Sequence, residues 1–167
     1  TGRGITILTL LDSAFNQGKL DIKQLSKDTL FFTNGQIERI KLSTEMEGID
    51  ELNYFTPNGI LIGTEHFKNG LRHGLYSWNY KKGTRLTQEN YKNGVKVGMS
   101  YFWSESNPDK PTHESYYDDQ GQFRFFKEYV TGTNGRRLSY EVIFDTDKYK
   151  LIHRFYDELG NVKSEED

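Results

Sequence analysis

Beyond residue 28 the chain reads as short runs of alternating polar and apolar character, each closed by turn-forming residues. The segments Leu71 to Tyr80, Thr84 to Tyr91, Val97 to Trp103 and Thr112 to Asp118 are enriched in aromatic and β-branched side chains, the composition of half-buried strands. Asn-Gly occurs five times, at Asn34-Gly35, Asn58-Gly59, Asn69-Gly70, Asn93-Gly94 and Asn134-Gly135. A type I′ hairpin needs positive φ at both central residues, which Asn and Gly tolerate best, so these dipeptides predict consecutive two-residue hairpins. Residues 1–28 follow another pattern. Ile7, Leu8, Leu11, Ala14 and Phe15 fall at helical spacing and Gly18 stands where a helix would end, which predicts a short N-terminal helix, although Ile5 and Ile7 also fit a strand.

The runs repeat. Phe67-Lys-Asn-Gly70-Leu-Arg-His-Gly74 recurs as Tyr91-Lys-Asn-Gly94-Val-Lys-Val-Gly98, displaced by 24 residues, and Gly35, Gly59 and Gly83 keep the same step. Each unit therefore contains two turns. Glu65, Glu89 and Glu114 precede Phe67, Tyr91 and Tyr116 by two residues, and Trp78 aligns with Phe102. One residue is inserted near Pro108 and Pro111, after which the pattern decays into Tyr117 to Phe123 and Phe155 to Val162. Such an array, in which each unit covers only its neighbours, predicts a mainly β fold: an elongated antiparallel meander of repeated hairpins in a single-layer twisted sheet over residues 29–167, with residues 1–28 as an appendage.

The Tyr/Phe-Lys-Asn-Gly-x-x-x-Gly units at Phe67 to Gly74 and Tyr91 to Gly98 resemble MORN repeats, and the broader spacing is similar to the bacterial MORN variant of antitoxin-like repeat proteins. The resemblance is close over Phe55 to Trp103 and looser over Phe31 to Gly48 and Tyr116 to Glu165. It implies tandem β-hairpins in an extended sheet, roles in scaffolding and partner docking, association of some eukaryotic members with anionic lipid, and no catalytic residues.

Composition narrows the function classes. Hydrophobic residues make up 34% of the chain and aromatics 14%, a balance suited to a shallow, aromatic-lined sheet. Lys plus Arg total 22 against 24 for Asp plus Glu, which argues against binding dominated by nucleic-acid phosphates. The lack of Cys removes disulfides and thiolate metal sites and is compatible with a cytoplasmic or a secreted or periplasmic setting, the latter with a signal removed ahead of Ile5 to Leu11. No apolar run approaches the roughly 20 residues that span a bilayer.

Candidate chemistry is sparse. A two-residue turn at Asn69-Gly70 would set His66 opposite His73, yet no third ligand is evident, so no metal is expected. Lys68, Arg72, His73, Lys92 and Lys96 gather at turns on one margin, where they would hold an anion, a phospholipid headgroup or an acidic partner, or simply keep strands from pairing with other chains. Glu65, Glu89 and Glu114 form an expected acidic row on one face, read as structural because a repeating residue serves the repeat. Tyr76, Trp78, Tyr80, Tyr101, Phe102 and Trp103 are the densest aromatic group, placed either to anchor a partner or to pack on the N-terminal helix and on each other. No phosphate loop or nucleophile elbow is present. The expected function is a non-catalytic protein-binding module, in its most specific form an antitoxin or immunity protein, with no cofactor. A membrane-surface scaffold and a glycan-acting enzyme are the alternatives, and self-association through sheet edges fits any of them.

Overall fold

The computed structural model describes residues 29–44, 48–133 and 135–167, and the helix expected over Ile7 to Gly18 lies outside them. The described chain is all β. Its strands are β1 (Thr29–Phe31), β2 (Ile37–Thr44), β3 (Ile49–Phe55), β4 (Leu61–Lys68), β5 (Leu71–Asn79), β6 (Arg85–Lys92), β7 (Val95–Lys96), β8 (Gly98–Phe102), β9 (His113–Tyr117), β10 (Phe123–Gly132), β11 (Gly135–Asp145), β12 (Lys150–Tyr156) and β13 (Val162–Glu166). All belong to one antiparallel 13-stranded sheet whose spatial order follows the chain, with the short β7 pairing only with β6. The expected meander is therefore the fold.

Two turn chemistries alternate, and only one is the type expected for every Asn-Gly. At Asn69-Gly70 and Asn93-Gly94 both residues have positive φ (52° and 78°; 50° and 85°), the type I′ geometry. At Asn34-Gly35 and Asn58-Gly59 only the glycine does, with φ of 82° and 78°. There the Gly35 amide donates to the Phe32 carbonyl (3.0 Å) and the Phe32 amide to the Gln36 carbonyl (2.8 Å), a type I turn closed by a glycine bulge, and Thr56, Gly59 and Ile60 repeat it. The loop is one residue longer, so the left-handed conformation is required only at its last position. Tyr80 to Thr84, Asp118 to Gln122 and Asp157 to Asn161 close in the same way without Asn-Gly. Asn134 lies outside the described residues.

Register assigns each side chain to a face, because cross-strand partners point to the same side. Glu65 pairs with Tyr76 and Tyr76 with Glu89, while Trp78 pairs with Thr87 and Thr87 with Phe102. These residues define the front. Gln88 pairs with Tyr101, Tyr101 with Glu114, Glu114 with Lys127, Lys127 with Glu141 and Glu141 with Arg154, all on the back. Glu114 thus leaves the expected acidic row. The step from Glu65 to Glu89 is even, that from Glu89 to Glu114 is odd, and a one-residue slip moves a side chain to the other face of a pleated sheet.

Among the described residues the single sheet has no central core, and burial is local: Ile40, Leu42, Phe55, Trp103 and Val142 are the buried hydrophobics there. Among the described residues the terminal strands are β1, of three residues, and β13, which carries Lys163, Glu165 and Glu166. Short and charged edges discourage pairing with further strands.

Candidate functional site

Four glutamates anchor the repeats. Glu65 accepts hydrogen bonds from the Tyr54 hydroxyl (3.3 Å) and Arg72 (3.2 Å), and Glu89 from the Tyr91 hydroxyl and Lys96 (both 2.6 Å), on the front. On the back, Glu114 accepts from the Tyr129 hydroxyl (3.0 Å) and Arg136 (3.1 Å), and Glu141 from the Tyr156 hydroxyl and Arg154 (3.4 Å). Each is a phenol, a carboxylate and a cation held together. The phenols show it: burial first, and then the carboxylate that its hydroxyl meets, pushes Tyr91 up to about 12, and the same two causes raise Tyr54, Tyr129 and Tyr156. Glu65, Glu89 and Glu114 are tied at both oxygens to a cation and a neighbouring phenol, whereas both partners of Glu141 meet its Oε1; the four brace the strands around them, two on each face.

The basic margin is thinner than its sequence suggests. Arg72 and Lys96 are engaged by Glu65 and Glu89, and Arg72 also lies over the rings of Tyr76 (4.7 Å) and Tyr91 (5.4 Å). His73 Nδ1 lies 3.1 Å from Asn93 Oδ1. Lys68 and Lys92, at the two type I′ turns, have no side-chain ion pair among the described residues. The facing of His66 and His73 expected from a two-residue turn does not occur. After Phe67 pairs with Arg72 the register jumps to Glu65 with Tyr76, a bulge in which Gly74 adopts φ of 95°. His66 instead donates from Nδ1 to the Leu75 carbonyl (2.8 Å), with Nε2 3.3 Å from Glu51. Among the described residues no cluster of three or more His, Asp or Glu could hold a metal.

The aromatic group splits between faces for the same reason as the glutamates. Tyr101, Phe102 and Trp103 are consecutive, so the pleat sends Phe102 to the front with Tyr76 and Trp78, and Tyr101 to the back with Trp103. Trp103 is only 4% exposed, packed on Tyr101 and lying under Arg85 (5.6 Å), with the Tyr80 hydroxyl donating to its carbonyl (2.9 Å). Tyr80 and Trp103 thus brace the loop after β8. Trp78 rests on Gly63, where a Cβ would come within 3.0 Å of the indole, and touches Tyr54 (5.0 Å) and Tyr76 (6.4 Å).

In place of that group, the front carries a ladder of rings that crosses five strands. Phe102 meets His113 (5.4 Å), His113 meets Phe126 (5.6 Å), Phe126 meets Tyr140 (6.2 Å), and Tyr140 meets Phe155 (4.9 Å) and His153 (6.0 Å). Its two ends are exposed, Phe102 at 39% and Phe155 at 38%. Beside Phe102 and Phe126 lies an open depression of about 330 Å³, bordered by Thr87, Glu89, Ser100 and His113. Of the ladder only Phe102 was singled out by sequence; the other rings lie past the inserted residue, where the motif no longer marks them. Pairing parity, counted from Phe102 through each hairpin, was the signal that would have found them.

No family model matches the chain, and no curated protein matches it. Among solved structures it is similar to a mutant of S. aureus TarM in complex with fondaparinux, alpha-GlcNAc-glycerol and UDP, at 15% identity and a TM-score of 0.37, covering 87% of this chain and 24% of that one. It is also similar to TarM in a second structure, at 15% identity and a TM-score of 0.35 over 87% of this chain and 23% of that one. A GtfA/B complex bound to UDP and GlcNAc follows, at 17% identity and a TM-score of 0.36 over 76% of this chain and 26% of that one. The chain spans about a quarter of the length of each of these chains.

Proposed function

We propose that this chain is a non-catalytic repeat module that docks another protein on the front of its sheet. The observation that carries the reading is the ring ladder from Phe102 to Phe155: touching aromatics on an open face, exposed at both ends, beside a shallow depression. Aromatic side chains that lose their hydration against a partner are the usual anchors of protein interfaces. The carboxylates that would be the first candidates for hydrolytic chemistry are each engaged by a phenol and a cation. Its resemblance to bacterial MORN-variant proteins makes a toxin neutralised by docking the most specific form of this reading. Affinity capture of the tagged chain from its native cells tests it, comparing wild type with Phe102→Ala and Phe155→Ala. One partner should co-purify with wild type and be lost from both variants. Undiminished capture by folded variants removes the front face from the reading, and absence of any partner removes the reading itself.

A further inference from the structure

Every other cluster of touching rings among the described residues carries its own cation. Arg72 serves the Tyr54, Trp78, Tyr76 and Tyr91 group, and Arg136 lies 3.4 Å over Tyr129. Arg85, Lys96, Lys127 and Arg124 lie over Trp103, Tyr117, Phe125 and Phe144. The ladder has the most rings and no cation over any of them.

It has, however, a carboxylate. Glu128 pairs with His113 on one side and Tyr140 on the other, which places it on the front within the ladder, and its carboxylate makes no ion pair or hydrogen bond among the described residues. The neighbouring depression has an unmet group as well. Ser100, 6% exposed, borders it, and its Oγ is buried without a hydrogen-bond partner. Ring faces attract cations through their quadrupole, an uncompensated carboxylate does so by charge, and a buried hydroxyl without a partner is costly until a ligand satisfies it.

We propose that the ladder takes its missing cation from the docked protein, as an arginine side chain on an extended segment laid across the front, with Glu128 as counter-ion. This rests on the docking reading and names the chemistry of the partner. Arginine fits better than lysine because a planar, weakly hydrated guanidinium stacks on aromatic faces while still donating to a carboxylate. Alternate side chains of an extended segment point the same way at a spacing of roughly 6.8 Å, so further residues of the segment extend towards the depression. A polyanion is a poor fit, since Glu128 repels phosphate.

The test titrates the full chain into a short fluorescent Gly/Ser peptide bearing arginine at alternate positions, with a citrulline peptide of the same length as the neutral isostere. The arginine peptide should bind more tightly by roughly threefold to thirtyfold, the range of a single cation–π contact. Glu128→Gln, which preserves shape, and Phe126→Leu, which removes the ring but keeps bulk, should each erase most of that difference. Equal affinity for the two peptides overturns the inference, as does a preference unchanged in both folded variants. Either result leaves the docking reading to the capture experiment, where loss of the partner on Phe102→Ala is read independently of arginine.

Discussion

Replacing Glu89 with Gln should destabilise the sheet by about 1.5–2 kcal/mol without unfolding it. Glu89 accepts from the Tyr91 hydroxyl and from Lys96, each at 2.6 Å. A buried hydrogen bond to a charged group contributes roughly 1.5–3 kcal/mol. Lys96 and Glu89 keep 28% and 18% side-chain exposure, so solvent screening reduces the ion pair to about 1 kcal/mol. Gln retains a carbonyl for the phenol, which leaves roughly half to one further kcal/mol lost as that bond becomes neutral. Urea unfolding followed by the fluorescence of Trp78 and Trp103 reads the change as a lower midpoint at constant slope.

A second measurement separates the carboxylate from a general loosening. Tyr91 is pushed up to about 12 by burial and then by Glu89, so in Glu89→Gln its titration should move down while staying above the ordinary phenol value, because burial persists. The sign follows from linkage. The folded state favours the neutral phenol, so this contribution is fully present below the unfolded value near 10 and is lost as pH rises through about 12. The variant should show less of that alkaline loss. Glu114→Gln, on the opposite face, should behave alike, with Tyr129 falling as Tyr91 does. If the midpoint and the phenolate absorbance titration both stay at wild-type values, the phenol, carboxylate and cation groups do not brace the strands and the repeat logic fails.

Two further predictions probe packing. Trp103→Ala should cost about 3–5 kcal/mol and Phe102→Ala under about 1 kcal/mol, although the residues are adjacent, because Trp103 is 4% exposed and Phe102 39%; comparable midpoints in urea would contradict the face assignment. Gly121→Ala should cost about 2–4 kcal/mol, since a Cβ there would lie 2.0 Å from Val95 Cγ1 and 3.2 Å from the Lys96 carbonyl oxygen at φ of 79°, and Val95→Ala in the same chain should restore the packing share while leaving the backbone share.

The meander was legible because its turns are chemically explicit: positive φ at Asn69-Gly70 and Asn93-Gly94 needs those residue types, and two copies at one spacing exclude coincidence. The same dipeptide misled at Asn34-Gly35 and Asn58-Gly59, where the closing bond one residue earlier selects another turn from an identical pair. Side-chain facing was harder. His66 and His73 part because a bulge that Gly74 permits adds residues to one strand, and the glycine was visible while its conformation was not. The phenol partners were hidden for a different reason: Tyr54, Tyr129 and Tyr156 come from neighbouring strands and Tyr91 from the same strand as its glutamate, and only the pairs on the back, Glu114 with Tyr129 and Glu141 with Tyr156, share a spacing, so no single step marks all four.

The inserted residue near Pro108 explains why the ladder is electrostatically incomplete. Continuing the 24-residue step on the front leads from Glu65 and Glu89 to His113, and from Arg72 and Lys96 to Gln120. The carboxylate of that unit, Glu114, has moved to the back, where Arg136 and Tyr129 meet it. By pairing, Ser115 opposite Ser100 stands where Glu89 stands opposite Tyr76, and His113 opposite Phe102 stands where Thr87 stands opposite Trp78, so the front of the C-terminal half holds a hydroxyl where the earlier repeat holds a carboxylate, and an imidazole beside it. His113 lies between Phe102 and Phe126 and joins their rings into one strip. One odd-numbered step thus converts a self-neutralised row into an uncapped aromatic strip, and restoring the lost cation should close it. Thr87 faces Phe102 and borders the depression, so Thr87→Arg places a guanidinium over the Phe102 end of the strip, across which the partner's segment is laid. That variant should keep its fold and bind the arginine peptide more weakly; undiminished binding by it would mean that the Phe102 end of the strip is not where the partner sits.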